Sequence, residues 1–402
     1  MQLTNRELFL QNLALPSVDT EALEIVQARG IYLYTDSGER YIDLVSGVSV
    51  SNVGHLHPEV VKAVQEQAER YMHLMVYGKY IQSPQVKLAG ALTDLLPPQL
   101  DSVYFVNSGS EAIEGAMKLA KRVTGRTETV AFKQAYHGST QGALSILGNE
   151  EMKYAYRPLL PDIRFLTFND FEGLAQISDR TACVVVEPVQ AEAGIILPAD
   201  GFLQALRQRC DEQGCLLIFD EVQMGFGRTG KLFAFEKYGV VPDILCLAKA
   251  MGGGMPIGAF IASRENMSKL TYHPALGHIT TFGGHPVSAA AALASLKIIL
   301  KEKLWENAAR QGEKIKTALK EHRAVAQVRQ TGLMLGVELK RQYDAARMMA
   351  VLKKNRLIVD RFLFNEQSFR IAPPLTLTDN ELNDIIHLIL ISLDEVLAGN
   401  KL

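Results

Sequence analysis

The sequence predicts an α/β fold, a mainly parallel sheet with helices on both faces, followed by a smaller α+β unit. Three observations carry this. Between about residues 58 and 290, short apolar runs alternate with helical segments, the pattern of strand–helix–strand crossovers. The runs Cys183-Val184-Val185-Val186, Leu216-Leu217-Ile218-Phe219 and Ile244-Leu245-Cys246-Leu247 are apolar throughout, as strands buried on both faces must be. After Pro286 an Ala-rich helical stretch opens a region of different pattern.

In chain order, the first fifty residues read as a lead-in. Ile31–Tyr34, a turn at Asp36-Ser37-Gly38 and Arg40–Leu44 form a β-hairpin. Val103–Val106 is the first strand of the main sheet, and Glu111–Arg122 and Gly201–Gln213 are crossover helices. Ser288–Lys301 is a long helix, Leu333–Leu339 and Leu357–Val359 are strands, and Thr378–Leu397 is a closing helix. The expected division is 1–50 as an N-terminal segment contributing to a small domain, 51–290 as the large domain, and 291–402 as the C-terminal small domain.

Bulk properties narrow the function class. The 402 residues are 48% hydrophobic and 21% charged, with a formal net charge of −2, which suits a globular chain with a sizeable core. No basic run stands out, arguing against nucleic acid as a partner. Met1–Glu7 lacks a basic-then-apolar leader, and no apolar run spans a bilayer, so no membrane partner and a cytoplasmic location are expected. Of the four cysteines, Cys183 and Cys246 lie inside apolar runs and read as reduced core residues.

Two of the apolar runs each deliver one charged residue. Leu216–Phe219 ends on Asp220, and Ile244–Leu247 leads to Lys249. The carboxyl edge of an open α/β sheet is where ligands bind, and a buried charge there must be paired or used. One reading is a structural ion pair. The other is joint use on pyridoxal phosphate (PLP), the lysine bonding to the carbonyl carbon and the aspartate holding the pyridine nitrogen protonated.

Neighbouring segments each have a plain reading and a functional one. Asn107-Ser108-Gly109-Ser110-Glu111 fits a helix cap or a phosphate cradle. Ala135-Tyr136-His137-Gly138-Ser139 fits a core aromatic at a turn, or a face against which a flat ring lies. Glu187 and Glu192 follow another buried run and either contact substrate or stand solvated on a loop. Thr280-Thr281-Phe282-Gly283-Gly284 offers a further phosphate donor or a glycine-rich turn. His55 and His57 suggest a metal, but Pro58 follows at once and no Cys or carboxylate cluster joins them, so a turn is expected. Gly225–Lys231 spells G-x-x-x-x-G-K, but Leu232 follows where a nucleotide loop needs Ser or Thr, and Asp220 and Glu221 would repel phosphate.

Together these segments resemble the class III (ornithine/acetylornithine/4-aminobutyrate-type) PLP-dependent aminotransferases, from about Gly30 to Pro374. The most specific stretch runs from Phe219-Asp220-Glu221-Val222-Gln223 through Gly225–Gly230 and Pro242-Asp243-Ile244 to Lys249 and Gly252-Gly253-Gly254. The resemblance implies fold-type I, with a seven-stranded, mainly parallel sheet. It implies Lys249 as the cofactor-binding lysine and proton carrier, Asp220 on the pyridinium nitrogen and Gln223 on the ring hydroxyl oxygen. Gly109 and Ser110 would hold the phosphate, with Tyr136 and His137 at the ring. Thr281 would reach the phosphate of a neighbouring subunit, implying a homodimer with active sites at the interface. Arg370 would bind a substrate carboxylate and Glu192 would pair with it between substrates. The implied reaction moves the terminal amino group of an ω-amino acid to a 2-oxo acid such as 2-oxoglutarate, ping-pong through a pyridoxamine phosphate form.

Some positions depart from the ornithine and acetylornithine pattern. Ser139 stands where those enzymes carry an arginine, and is similar to the Tyr-His-Gly-Ser of ω-amine transaminases. Val48 stands at a substrate-binding tyrosine, arguing against free ornithine. Met224 and His285 replace a threonine and an asparagine. An ω-amine:pyruvate-type transaminase, an aminomutase or racemase of the same fold, and a non-catalytic descendant are the alternatives; intact Lys249 and Asp220 speak against the last.

Overall fold

The computed structural model describes residues 3–18, 20 and 22–399. Near the amino end, strands β1 (Ile25–Arg29), β2 (Tyr32–Thr35) and β3 (Arg40–Asp43) form an antiparallel meander. The main sheet uses β4 (Ser102–Val106), β5 (Glu128–Phe132), β6 (Ile163–Leu166), β7 (Thr181–Val186), β8 (Leu216–Asp220), β9 (Ile244–Leu247) and β10 (Gly258–Ala262). Its seven strands run in the order β4-β10-β9-β8-β7-β5-β6. The pairs β6–β5, β5–β7, β7–β8 and β8–β9 are parallel. Only β10 runs the other way, antiparallel to both β9 and β4.

The central strands are apolar because both faces are covered. Every residue of β7, β9 and β10 is buried. Helix Gly109–Thr124 lies against β9 and β10, and its fit is close: a Cβ on Gly115 would approach Phe260 to 2.3 Å. Ser108 caps this helix by accepting from the Glu111 amide at 3.2 Å, and Gly125 ends it in the left-handed region. That fixes a helix start at the carboxyl end of β4.

Toward the carboxyl end, β11 (Val325–Thr331), β12 (Met334–Leu339), β13 (Leu357–Ile358), β14 (Asp360–Arg361) and β15 (Ser368–Ile371) follow. A four-stranded antiparallel sheet runs β11-β12-β15-β14, while β13 joins the N-terminal meander parallel to β3. The single strand expected over Leu357–Val359 is therefore two short ones, split between sheets at Val359. The closing helix is Asp379–Gly399.

The G-x-x-x-x-G-K stretch is a latch between these regions. Arg228, fully buried, donates to Leu333 O (2.9 Å), Pro373 O (2.6 Å), Ser46 Oγ (3.2 Å) and Asn52 Oδ1 (2.5 Å). His55 lies against Asp43, Nε2 to Oδ2 at 2.8 Å, and His57 accepts from the Glu59 amide at the helix start.

Candidate active site

Strands β8 and β9 are adjacent and parallel, so Asp220 and Lys249 emerge from the same edge of the sheet. Lys249 opens a tight turn, Lys249–Gly252, with φ of 48°. A cavity of about 440 Å³ lies over this edge, lined among others by Ser108–Ser110, Tyr136, His137, Asp220, Gln223 and Lys249. It gathers both charged residues, the helix start after β4 and the Tyr-His-Gly turn, segments far apart in sequence.

Asp220 is buried and fixed on both oxygens. Oδ2 lies 2.7 Å from His137 Nδ1, and Oδ1 accepts from the Val222 amide at 3.0 Å. His137 is itself buried, and its other ring nitrogen has no hydrogen-bond partner among the described residues. The histidine expected to flank a ring lines the cavity and also holds the aspartate. Tyr136 lines the cavity, its hydroxyl 3.0 Å from Ser139 Oγ.

Burial lowers the Lys249 pKa, Glu192, Asp220 and Glu187 opposing this and Arg370 adding to it. An ammonium loses more hydration than a neutral amine on burial, so the free base is favoured. Glu187 is no solvated loop residue: buried, it accepts from the Tyr136 amide (3.0 Å) and the Ala191 amide (2.9 Å). Burial pushes its carboxyl up to about 7, against the pull of His137.

Glu192 and Arg370 form a buried cluster beside the cavity, close enough for their charges to act on Lys249. Arg370 Nη2 donates to Glu192 Oε2 at 2.8 Å, and that oxygen also accepts from the Leu363 amide at 3.1 Å. A third charge completes the cluster. Asp360 Oδ1 lies 3.4 Å from Arg370 Nε. Nothing in the sequence singles Asp360 out, because its place follows only from β14 pairing with β15.

Two expected positions lie apart from the cavity. Thr281 is exposed; its neighbour Thr280 instead takes a hydrogen bond from Asn107 Nδ2 at 2.9 Å. Val48 is exposed with φ of 61°, whereas Val50 lines the cavity, as does Met224. His285 stacks on His73, ring centroids 5.6 Å apart.

The residues fit a phosphorylated pyridine aldehyde. Gln223 Nε2 is buried, unpartnered among the described residues, and belongs to a residue lining the cavity. At the helix start the Gly109 and Ser110 amides precede the first intrahelical acceptor, leaving donors for an anion. The approach is close enough that a Cβ on Gly138 would lie 2.0 Å from Ser110 Oγ, and one on Gly109 would lie 2.7 Å from Val222. A carboxylate, an amine with lowered proton affinity and an anion-binding helix start are the donor set such a molecule needs.

Comparison with known proteins agrees. The family model "Aminotransferase class-III" matches residues 15–392. The chain is 45% identical over 317 residues to an acetylornithine aminotransferase of Methanopyrus kandleri, covering 78% of this chain and 80% of the relative. It is 39% identical to that of Methanocaldococcus jannaschii, covering 94% of each. Among solved structures, an ornithine aminotransferase from Toxoplasma gondii with partial PLP occupancy superposes with a TM-score of 0.92 at 27% identity, covering 98% of this chain and 94% of that one.

Proposed function

Because the chain belongs to the class III aminotransferases, we propose that it moves the terminal amino group of an ω-amino acid, N-acetylornithine or a close analogue, to 2-oxoglutarate. The observation carrying this is the buried Arg370–Glu192 pair beside Lys249. An arginine that can be uncovered binds a carboxylate through two parallel donors. Covered by Glu192, it leaves a neutral pair beside which an amine-terminated substrate fits. The acetylornithine relatives favour an acylated donor, and Val48 brings no hydroxyl to a free ornithine.

PLP, when bound, supplies an electron sink for the carbon bearing the amine. Gly109, Ser110 and Gln223 would hold it, with Tyr136 against the ring. Asp220 keeps its carboxylate aimed by the His137 ring and the Val222 amide, so that a protonated ring nitrogen is favoured. A charge-assisted hydrogen bond of this kind contributes about 1.5–3 kcal/mol, or about one to two decades in population. Lys249 Nζ, its proton affinity lowered by burial, would take the proton from the amine-bearing substrate carbon and deliver it on the far side of the nitrogen, a 1,3 shift. Donor and acceptor use one pocket in turn, which gives ping-pong kinetics.

The working unit on this reading is a homodimer with Thr281 serving the partner's cofactor. Its exposure away from its own cavity supports this, as do the exposed apolar side chains Met72, Ile81 and Phe282. The described residues contain no helix long and apolar enough to cross a membrane.

A second reading, transfer from a plain amine to pyruvate, is favoured by Ser139, which brings no cation to the rim of Tyr136. Initial-rate kinetics separate the two. With the purified enzyme, N-acetylornithine, ornithine, 4-aminobutyrate, lysine and simple amines are paired with 2-oxoglutarate or pyruvate. Highest kcat/KM for N-acetylornithine with 2-oxoglutarate is expected; highest values for simple amines with pyruvate would replace the proposal with the second reading.

A further inference from the structure

Arg370 is held by two carboxylates, and they occupy different parts of it. A guanidinium offers two forked faces, Nε with Nη2 and Nη1 with Nη2. Glu192 takes Nη2 at 2.8 Å, which spoils both faces at once. Asp360 faces Nε at 3.4 Å from directly across the β14–β15 pair. Arg370 Nε and Nη1 have no hydrogen-bond partner among the described residues, nor has Asp360 Oδ1. The guanidinium plane is set by the Phe362 ring, 4.8 Å from the guanidinium carbon, and by a 3.4 Å contact from Nη2 to Arg361 O.

When Glu192 moves away, the two faces are therefore unequal. The Nε face still has a carboxylate beside it, and the Nη1 face has none. We propose that Asp360 is a specificity-determining residue, which confines an incoming carboxylate to the Nη1–Nη2 face of Arg370 and weakens the binding of dicarboxylate acceptors by its own negative charge. This rests on the carboxylate-binding role of Arg370 given above.

The cluster carries a charge that depends on pH. The groups acting on Asp360 are Arg370 on β15, Glu192 from the loop after β7 and Lys249 after β9. Burial pushes the Asp360 carboxyl up to about 6, with Arg370 pulling the other way and Glu192 adding to the rise. With Glu192 moved away and Asp360 ionised, the arriving carboxylate is the second anion on one cation. With Asp360 protonated, it is the only one. By linkage, binding a dicarboxylate takes up a proton, so affinity falls as pH rises through the Asp360 titration.

The test uses glutarate, an unreactive dicarboxylate, as a competitive inhibitor of the PLP-loaded enzyme between pH 5 and 8. Wild type, Asp360→Asn and Arg370→Ala are compared, and glutarate binding is also read by calorimetry, independently of turnover. Asp360→Asn should bind glutarate about tenfold more tightly at pH 8, with a flattened pH profile. Arg370→Ala should lose glutarate binding; if it does not, the carboxylate role of Arg370 fails. If Arg370→Ala loses binding while Asp360→Asn keeps wild-type affinity and slope, the Asp360 proposal alone fails. Loss of binding in Asp360→Asn equal to that in Arg370→Ala would make Asp360 a prop for the arginine and overturn the proposal too.

Discussion

Replacing Gly138 by alanine tests the phosphate cradle without touching a polar group. The added Cβ would lie 2.0 Å from Ser110 Oγ, 2.7 Å from Ser110 Cβ and 3.1 Å from Ser110 Cα, so rotating the hydroxyl away does not relieve the clash. The backbone at 138 also has φ of 127°, outside the range an alanine adopts readily. That strain costs about 1–3 kcal/mol, and the clash is relieved where Ser110 and the helix start shift away from the Tyr136–Ser139 turn. Losing one charge-assisted hydrogen bond to phosphate costs about 1.5–3 kcal/mol, which weakens PLP binding about 10- to 150-fold. The assay titrates cofactor-free protein with PLP and, separately, with pyridoxal, following the visible absorbance of the bound form. Pyridoxal lacks the phosphate, so its affinity should change little. Unchanged PLP affinity, or an equal loss for PLP and pyridoxal, would refute the assignment of Gly109 and Ser110 to the phosphate.

Lys249→Ala should abolish turnover and the visible absorbance of the bound cofactor while leaving far-ultraviolet circular dichroism intact; retained turnover would sink the mechanism. Arg228→Met leaves Leu333 O, Pro373 O and Asn52 Oδ1 without their buried donor and, at about 1–3 kcal/mol for each unsatisfied acceptor, should destabilise the protein by about 3 kcal/mol or more in denaturant titration; a loss below about 1 kcal/mol would show that the latch is dispensable. Glu187 contributes one part of the pH dependence of stability. Its carboxyl pKa is raised in the folded protein to about 7, above the ordinary carboxylate range of the unfolded chain. Its contribution is thus complete below about pH 4.5 and is lost as pH rises through 7. The melting temperature of the cofactor-free protein should fall over that window, and Glu187→Gln should flatten the fall; a Gln variant with the wild-type slope would contradict the assignment.

Much of this was legible from residue order. Strands buried on both faces betray themselves as unbroken apolar runs, which is why β7, β8 and β9, and with them Asp220 and Lys249, could be placed. The antiparallel β10 was not foreseen: Gly258-Ala259-Phe260-Ile261-Ala262 follows a glycine-rich turn, and its small residues answer to the helix packed over Gly115 and Phe260. β5 and β6 were also missed, because Glu128 opens the one and Arg164 breaks the short apolar run of the other; the two side chains pair across the strands at 2.8 Å. Within the site, residue types named the chemistry, but partnerships did not follow from them. His137 reads as an aromatic beside a ring, and its second contact, Nδ1 on Asp220, has no signal in the sequence. Asp360 is silent in sequence because a two-residue strand has no periodicity, and only cross-strand register brings it to Arg370.

If one pocket passes an amino group from a terminal amine to a 2-oxo acid by way of Lys249, the PLP-loaded enzyme completes the first half of the reaction with no acceptor present. The most direct measurement mixes the PLP-loaded enzyme with N-acetylornithine alone and follows its visible absorbance. The band should bleach on that first addition, and 2-oxoglutarate should then restore it with one equivalent of glutamate released per site. A band that persists through the first addition, or that bleaches and returns without glutamate, would contradict that transfer.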